Sequence, residues 1–394
     1  MKKITWKSAV VLMAILLSVN NLMSQEQLNT ADRMMQDEDR LTVGGYAQID
    51  YNQPVGGGTY NSGGLDVHRM VLMFGYKFND KVQFISEVEF EHVKELYVEQ
   101  AFLQYEILPW LKFRGGLMLI PMGIINEFHE PSTFNGVERP NLDKYIVPTT
   151  WREIGVGFTG VFPSAALSYQ LYLTNGFKSY DDGPTLSGSN GFRSGRQKGA
   201  ESFMNAPNLA FKVNYFGVTG LQLGLSAYSG RSQTSLFNGV DKSDANAIAV
   251  VDSSIVGLTM LGADARYNRG GFQARAQLNY GSVSNSGTYN EFTGSDLGSA
   301  LSGWYAELAY DVLHSVERFE SELIPFVRFE QYNTHASVEG ATTSNPALNR
   351  TDLTVGLGWR LVKGAMLKLD YQRFNNKGTS EPRQQVNAGV AVWF

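Results

Sequence analysis

The sequence predicts an all-β protein: a transmembrane antiparallel β-barrel of about sixteen strands, with short periplasmic turns and long extracellular loops. Three observations predict it. Blocks of about ten residues alternate between an apolar and a polar face, as "VQFISEVEFEH" does: Val82, Phe84, Ser86, Val88 and Phe90 against Gln83, Ile85, Glu87, Glu89 and Glu91. Successive strand side chains point to opposite faces, so this period means one dry face and one wet face. Aromatic residues gather near block ends (Tyr51, Phe78, Tyr105, Tyr215, Tyr267, Tyr280, Tyr310, Trp359 and Tyr371), as interfacial girdles do. Finally, short connections alternate with long ones rich in Gly, Ser, Asn and Asp, an asymmetry a soluble sandwich has no reason to show.

The chain opens with "MKKITWKSAVVLMAILLSVNNLMSQ". Basic residues precede an apolar stretch, and small Ser24 stands at a cleavage point, so residues 1–24 read as a secretory signal peptide. Its removal takes three lysines and moves the net charge from −5 to −8. Residues 25–40 are acidic without clear periodicity and read as a flexible periplasmic N-terminal extension. No later stretch has 18 consecutive apolar residues, which leaves strands as the spanning elements.

From 41 to 394 the blocks fall at 41–51, 67–78, 82–92, 97–107, 111–120, 151–162, 165–175, 208–217, 220–229, 255–267, 272–282, 302–312, 322–332, 351–362, 366–374 and 384–394. Forty-one glycines, 12 % aromatics and no cysteine suit strands and turns, and exclude disulfides, thiolate metal sites and a cysteine nucleophile. The last block ends on Phe394, which resembles the C-terminal signal of barrel-insertion machinery. Pairing of first and last strands would leave no exposed edge. The partners expected are the lipid bilayer and lipopolysaccharide of a Gram-negative outer membrane; the acidic balance argues against nucleic acid.

Residues 121–150 form a long connection carrying Phe128, Phe134, Tyr145 and Ile146 beside its charges, a composition made to pack. Sixteen strands enclose an aqueous channel, so the inner wall is the expected partner of this loop. Just before it, "LKFRGGLMLIPMG" resembles the strand motif of the phosphate-selective porin O and P family, with Arg114, Gly116, Pro121 and Gly123 in the matching places. "WREIGVGFTG" and "YQLYLTNGF" are similar to that family's next two strands, and the likeness covers Arg69 to Phe177. The resemblance implies a homotrimeric diffusion pore, narrowed by this third long loop. The spacer Leu117, Met118, Leu119 and Ile120 carries no base, where the family's named members place Gln and Lys.

The polar faces hold ten bases against twelve acids, which predicts weak selectivity rather than an anion ladder. The pore-lining or constriction candidates are Arg69, Glu87, Glu89, Lys112, Arg114, Glu127, His129, Glu130, Glu138 and Arg139. Arg193, Arg196 and Lys198 form a basic cluster that would steer anions to the mouth, bridge lipid phosphates, or simply be solvated. Glu87, Glu89 and Glu91 read as a hydrated wall. His129, between Glu127 and Glu130, lacks a second histidine at ligand spacing, so no metal and no cofactor are expected. None of the five histidines has the serine partner a barrel hydrolase needs, so the protein reads as a passive channel and not an enzyme. The alternatives are a phosphate- or anion-selective pore, and a loop-occluded barrel that presents a surface.

Overall fold

The computed structural model describes residues 26–394 apart from Thr59 and Glu317; the signal peptide expected at 1–24 lies outside the described residues. Sixteen antiparallel strands close into one barrel. They are β1 Leu41–Val55, β2 Gly64–Asn79, β3 Val82–Glu91, β4 Glu95–Leu108, β5 Leu111–Leu119 and β6 Arg152–Phe162. Next come β7 Leu167–Thr174, β8 Asn208–Val218, β9 Leu221–Arg231, β10 Gly257–Arg269 and β11 Phe272–Ser284. The last are β12 Ala300–Tyr310, β13 Glu322–Ser337, β14 Asn349–Val362, β15 Ala365–Asn376 and β16 Thr379–Trp393. No helix among the described residues is long and apolar enough to cross a membrane.

Each expected block is a strand, but several strands outrun their blocks on the long-loop side. β13 continues to Ser337, and β16 begins at Thr379. There the β15–β16 connection is a tight hairpin, with Asn376 Oδ1 accepting from Gly378 N and Thr379 N. Beyond the bilayer neither face needs to be apolar, so alternation stops before the hydrogen-bonded ladder does.

The apolar face points outward. Ile154, Val156, Leu225 and Leu369 are 45, 49, 61 and 53 % exposed, as residues that face lipid must be in an isolated chain. Polar residues such as Lys212, Arg328 and Asn387 point inward and are buried. β1 and β16 close the seam from Tyr46–Trp393 to Val55–Gln384, and Gly45 and Phe394 exchange backbone hydrogen bonds of 2.9 and 3.0 Å. A Cβ on Gly45 would lie 2.3 Å from the Val71 carbonyl oxygen, so the seam needs glycine there.

Residues 26–37 depart from the flexible extension expected. They contain helix α1, Thr30–Gln36, whose N-cap Asn29 accepts from Asp32 N at 2.8 Å. Ala31 and Met34 are buried in one cluster with Met73 and Ile85, and Asp32 pairs with Arg114 at 2.5 Å. Seven residues are too few to display a helical period, and tertiary packing stabilises the helix.

The long connections cover one end of the barrel. Lys178–Tyr180 and Gln233–Thr234 form a short parallel pair, and helices α2 Leu142–Tyr145, α3 Ala245–Ser253 and α4 Ser286–Thr293 lie in these connections. Trp151 stacks on Phe177 with ring centroids 4.4 Å apart, within a buried cluster that includes Phe192 and Tyr228.

Candidate functional site in the barrel interior

The interior is organised by segment 120–151, between β5 and β6. Its departure from the wall needs two glycines of the motif noted above. Gly116 has φ +139, and a Cβ there would meet the Ala101 carbonyl oxygen at 2.2 Å; Gly123 has φ +72 and sits against the Gln277 amide. Asn126 fastens the two ends of the segment. Its Nδ2 donates to the carbonyl oxygens of Ile120 and Trp151 at 2.7 and 2.9 Å, while its Oδ1 accepts from Trp151 N at 2.7 Å.

The partners of the segment are inward side chains from around the barrel. From β8, Lys212 reaches Gly123 O at 2.9 Å and Glu127 at 2.5 Å. From β11, Gln277 accepts from Ile124 N at 2.6 Å and donates to Asp143 at 2.8 Å. From β12, Glu307 accepts from Asn135, and Tyr305 packs with Ile124, Ile125, Phe134 and Leu142. From β13, Arg328 donates to Glu138 O and Glu330 accepts from Leu142 N. Asp352 of β14 accepts from Asn141, and Asp370 of β15 accepts from Val137 N. These bonds satisfy backbone groups that burial would otherwise strand.

The same contacts consume much of the wall's charge. Lys212 also meets Asp264 at 3.2 Å, Arg328 meets Glu307 and Glu330, and Arg275 meets Glu307. A tally of ten bases against twelve acids therefore counts groups that largely neutralise one another. The charges that decide selectivity are those left facing open space.

Two cavities, each of about 300 Å³, lie on either side of the segment. The upper one, under the long loops, is bordered by eight bases and five acids. Its bases are Arg69, Arg139, Lys144, Arg152, Arg193, Arg196, Lys198 and Arg383. The lower one, beside α1, is bordered by Arg33, Arg266, Arg275 and Arg360 with no carboxylate. Residues 138–150 border the upper cavity, residues 124–133 the lower, and the two share no lining residue.

The candidates noted in the sequence separate into groups. Arg69, Glu89, Glu138 and Arg139 meet at the upper cavity, where Arg69 pairs with Glu89 at 3.4 Å and Arg139 donates to His129 O at 2.7 Å. Arg193, Arg196 and Lys198 join them there. Arg193 donates to Thr149 O, Arg196 donates to the carbonyls of Pro148 and Thr150, and Lys198 lies 4.5 Å from the Tyr97 ring centroid. Burial, then the neighbouring Arg193 and Arg152, lower the Arg196 pKa to about 9. Burial, then Arg196 and Arg152, lower that of Lys198. Cations so crowded make an electropositive patch.

Glu127 is bound to Lys212 and Gln170, and Glu130 accepts from Thr30 N of α1. Arg114 is taken up by Asp32 and Gln104. Lys112 stands apart, half-exposed near the β4–β5 turn and paired with Glu106 across the strands at 3.4 Å. Glu87 is not a hydrated wall group. It is fully buried, with Gln100 donating to its Oε2 at 2.6 Å and Tyr46 to its Oε1 at 2.8 Å. His129 faces Glu87 and Glu99 rather than Glu127 and Glu130, at 3.1 and 3.2 Å from Nε2. Burial opposes charge on this imidazole, but Glu87 and Glu99 outweigh it and hold its pKa at about 10.

Glu99, Tyr46 and Arg152 are absent from the sequence-based set. Strict alternation puts Glu99 outward with Tyr97, Ala101 and Leu103. In the ladder Glu87 pairs with Gln100 and Val88 with Val98, so Glu99 is the extra residue of a β-bulge, and Glu99 and Gln100 are both buried inside. The signal was available: a lone carboxylate on an otherwise apolar lipid face.

No family model matches the chain. An uncharacterised protein of Aquifex aeolicus (strain VF5) is 29 % identical over 365 residues, which cover 88 % of this chain and 78 % of the relative. Salmonella typhi OmpF, solved as a complex with daunomycin, superposes with a TM-score of 0.58 at 12 % identity, over 90 % of this chain and 97 % of its own. The outer membrane channel DcaP of Acinetobacter baumannii gives 0.57 at 12 % identity, over 90 and 97 %. The chain shares the closed barrel fold of outer-membrane porins.

Proposed function

We propose that the protein is a passive diffusion channel for ions and small hydrophilic solutes, narrowed by segment 121–150 and favouring anions. The observation that carries this reading is the pair of cavities on either side of the segment: eight bases to five acids border the upper one, and four arginines border the lower, where Arg33 and Arg266 are not taken up by the pairs that Arg275 and Arg360 make with Glu307 and Glu322. Rings of basic side chains favour anions in pores. The fold shared with OmpF and with the channel DcaP supports passage through the lumen. A homotrimer is part of the proposal on the strength of the resemblance, and chemical cross-linking in detergent tests it.

The deciding experiment is single-channel recording in a planar bilayer, with the reversal potential read across a salt gradient. Discrete steps with an anion-shifted reversal support the proposal. A reversal near zero or on the cation side would leave a general porin and remove the selectivity. No steps from correctly folded protein would overturn the channel in favour of a loop-occluded barrel, a reading that the dense bonding of the segment to the wall favours.

A further inference from the structure

Glu87 of β3, Glu99 at the bulge of β4 and His129 of the inner segment point one atom each at a common spot. Glu87 Oε1 and Glu99 Oε2 lie 3.1 and 3.2 Å from His129 Nε2, and the three atoms fall within 4.8 Å of one another. Ligands about 2.0 Å from a tetrahedral ion stand about 3.3 Å apart along each edge. The two spacings to Nε2 already suit such an ion.

The remaining atom of each side chain is tied elsewhere. Gln100 holds Glu87 Oε2, while the Thr150 hydroxyl and Arg152 hold Glu99 Oε1. His129 Nδ1 lies 3.3 Å from the Asn126 carbonyl oxygen. A carbonyl only accepts, so Nδ1 keeps its proton, and Nε2, whose own proton faces the two carboxylates while no ion is bound, is the nitrogen left to ligate. A ligating histidine is oriented in this way in metal sites. The Tyr46 hydroxyl, 2.8 Å from Glu87 Oε1 and 3.3 Å from Glu99 Oε2, borders a fourth position.

We propose that Glu87, Glu99 and His129 form a binding site for a divalent transition-metal ion of the Zn²⁺ class. One imidazole with two carboxylates selects such an ion over Ca²⁺ or Mg²⁺, which take all-oxygen shells. Glu99 borders the upper cavity, which gives an ion a route in. The ion replaces the proton on Nε2 and joins β3, β4 and the inner segment through direct bonds, clamping the segment to the wall.

Co²⁺ is the probe, because its visible absorption reports coordination and makes the test independent of conductance. Full-length protein folded in detergent and stripped with EDTA should bind one Co²⁺ per chain, show the intense absorption of a four- or five-coordinate ion, and lose it to Zn²⁺. His129→Gln and Glu99→Gln should each weaken binding at least about tenfold, while Glu291→Gln, exposed on α4, leaves it unchanged. Wild-type affinity in His129→Gln, or no stoichiometric Co²⁺ in the wild type, overturns the proposal and leaves a protonated His129 between the carboxylates. Heat-modifiable migration on a gel checks folding. Should His129→Gln not fold, Glu99→Gln decides, since its amide oxygen keeps an acceptor for Arg152.

Discussion

Lys368 Nζ on β15 donates to the carbonyl oxygen of Phe134 at 2.6 Å and stands 4.1 Å from the centroid of that residue's ring. The same ammonium reaches Gly136 O at 2.8 Å and the carbonyl of Pro131, so one buried cation gathers three acceptors of the inner segment. Replacing it leaves those acceptors without water or partner. Lys368→Met should destabilise the barrel by about 3 kcal/mol and loosen the segment. Urea titration of the folded gel band and single-channel current noise check the two effects. An unchanged midpoint with quiet current would show that the segment is held by its other bonds alone.

The electropositive patch of the upper cavity should set the sign of selectivity. Arg196→Gln with Lys198→Gln reduces the eight bases bordering it to six, against five acids. The reversal potential across a salt gradient should move toward zero, with anion preference falling by roughly half. Raising ionic strength should shrink the difference between variant and wild type, because screening weakens both fields.

Leu225, near the middle of β9, is 61 % exposed on the outward face. Leu225→Arg places a charge in hydrocarbon and should cost about 2–4 kcal/mol. Equilibrium folding into lipid vesicles measures it. A cost below about 1 kcal/mol would place this position at the headgroups instead of the bilayer centre.

Helix α1 borders the lower cavity through Arg33 and is seated by Met34. Met34→Asp buries a charge in that apolar seat and should release the helix while the barrel stays closed. The expected readout is a larger single-channel conductance with unchanged heat-modifiable migration. Equal conductance would show that the helix does not restrict the current path.

Most of the barrel was legible in the sequence, because one face of every strand must be apolar to meet lipid and period two makes that visible. What escaped notice has specific causes. The bulge at Glu99 turns that residue inward beside Gln100 and reverses the facing of Leu96 and Val98 before it, and its one trace in the sequence is a lone carboxylate on an apolar face. Strands such as β13 and β16 continue past the bilayer, where the solvent asks nothing of either face. α1 is shorter than two full periods of its own pattern. Inside the lumen, the strand candidates Arg69, Glu87, Glu89 and Arg114 face inward as alternation expects, but their partners were not legible. Lys212 meets Glu127 across 85 positions of chain, and Lys112, equally well faced, ends on the turn beside Glu106. Pairing among inward groups follows from barrel closure and the path of the inner segment, and neither is written locally.

The inner segment's partners also bear on the order of assembly. Its backbone bonds to Glu330 and Asp370 join residues 188 and 233 positions apart. Closing loops of that size costs entropy before any contact returns it, and topologies rich in such contacts fold slowly. Until β12 to β15 are in place, the buried carbonyls and amides of segment 120–151 lack their acceptors and donors, and only water can serve them. The lumen is therefore filled late. The narrowed state of the interior belongs to the finished barrel alone, and a chain stalled before its last strands would carry this segment solvated and open to proteases.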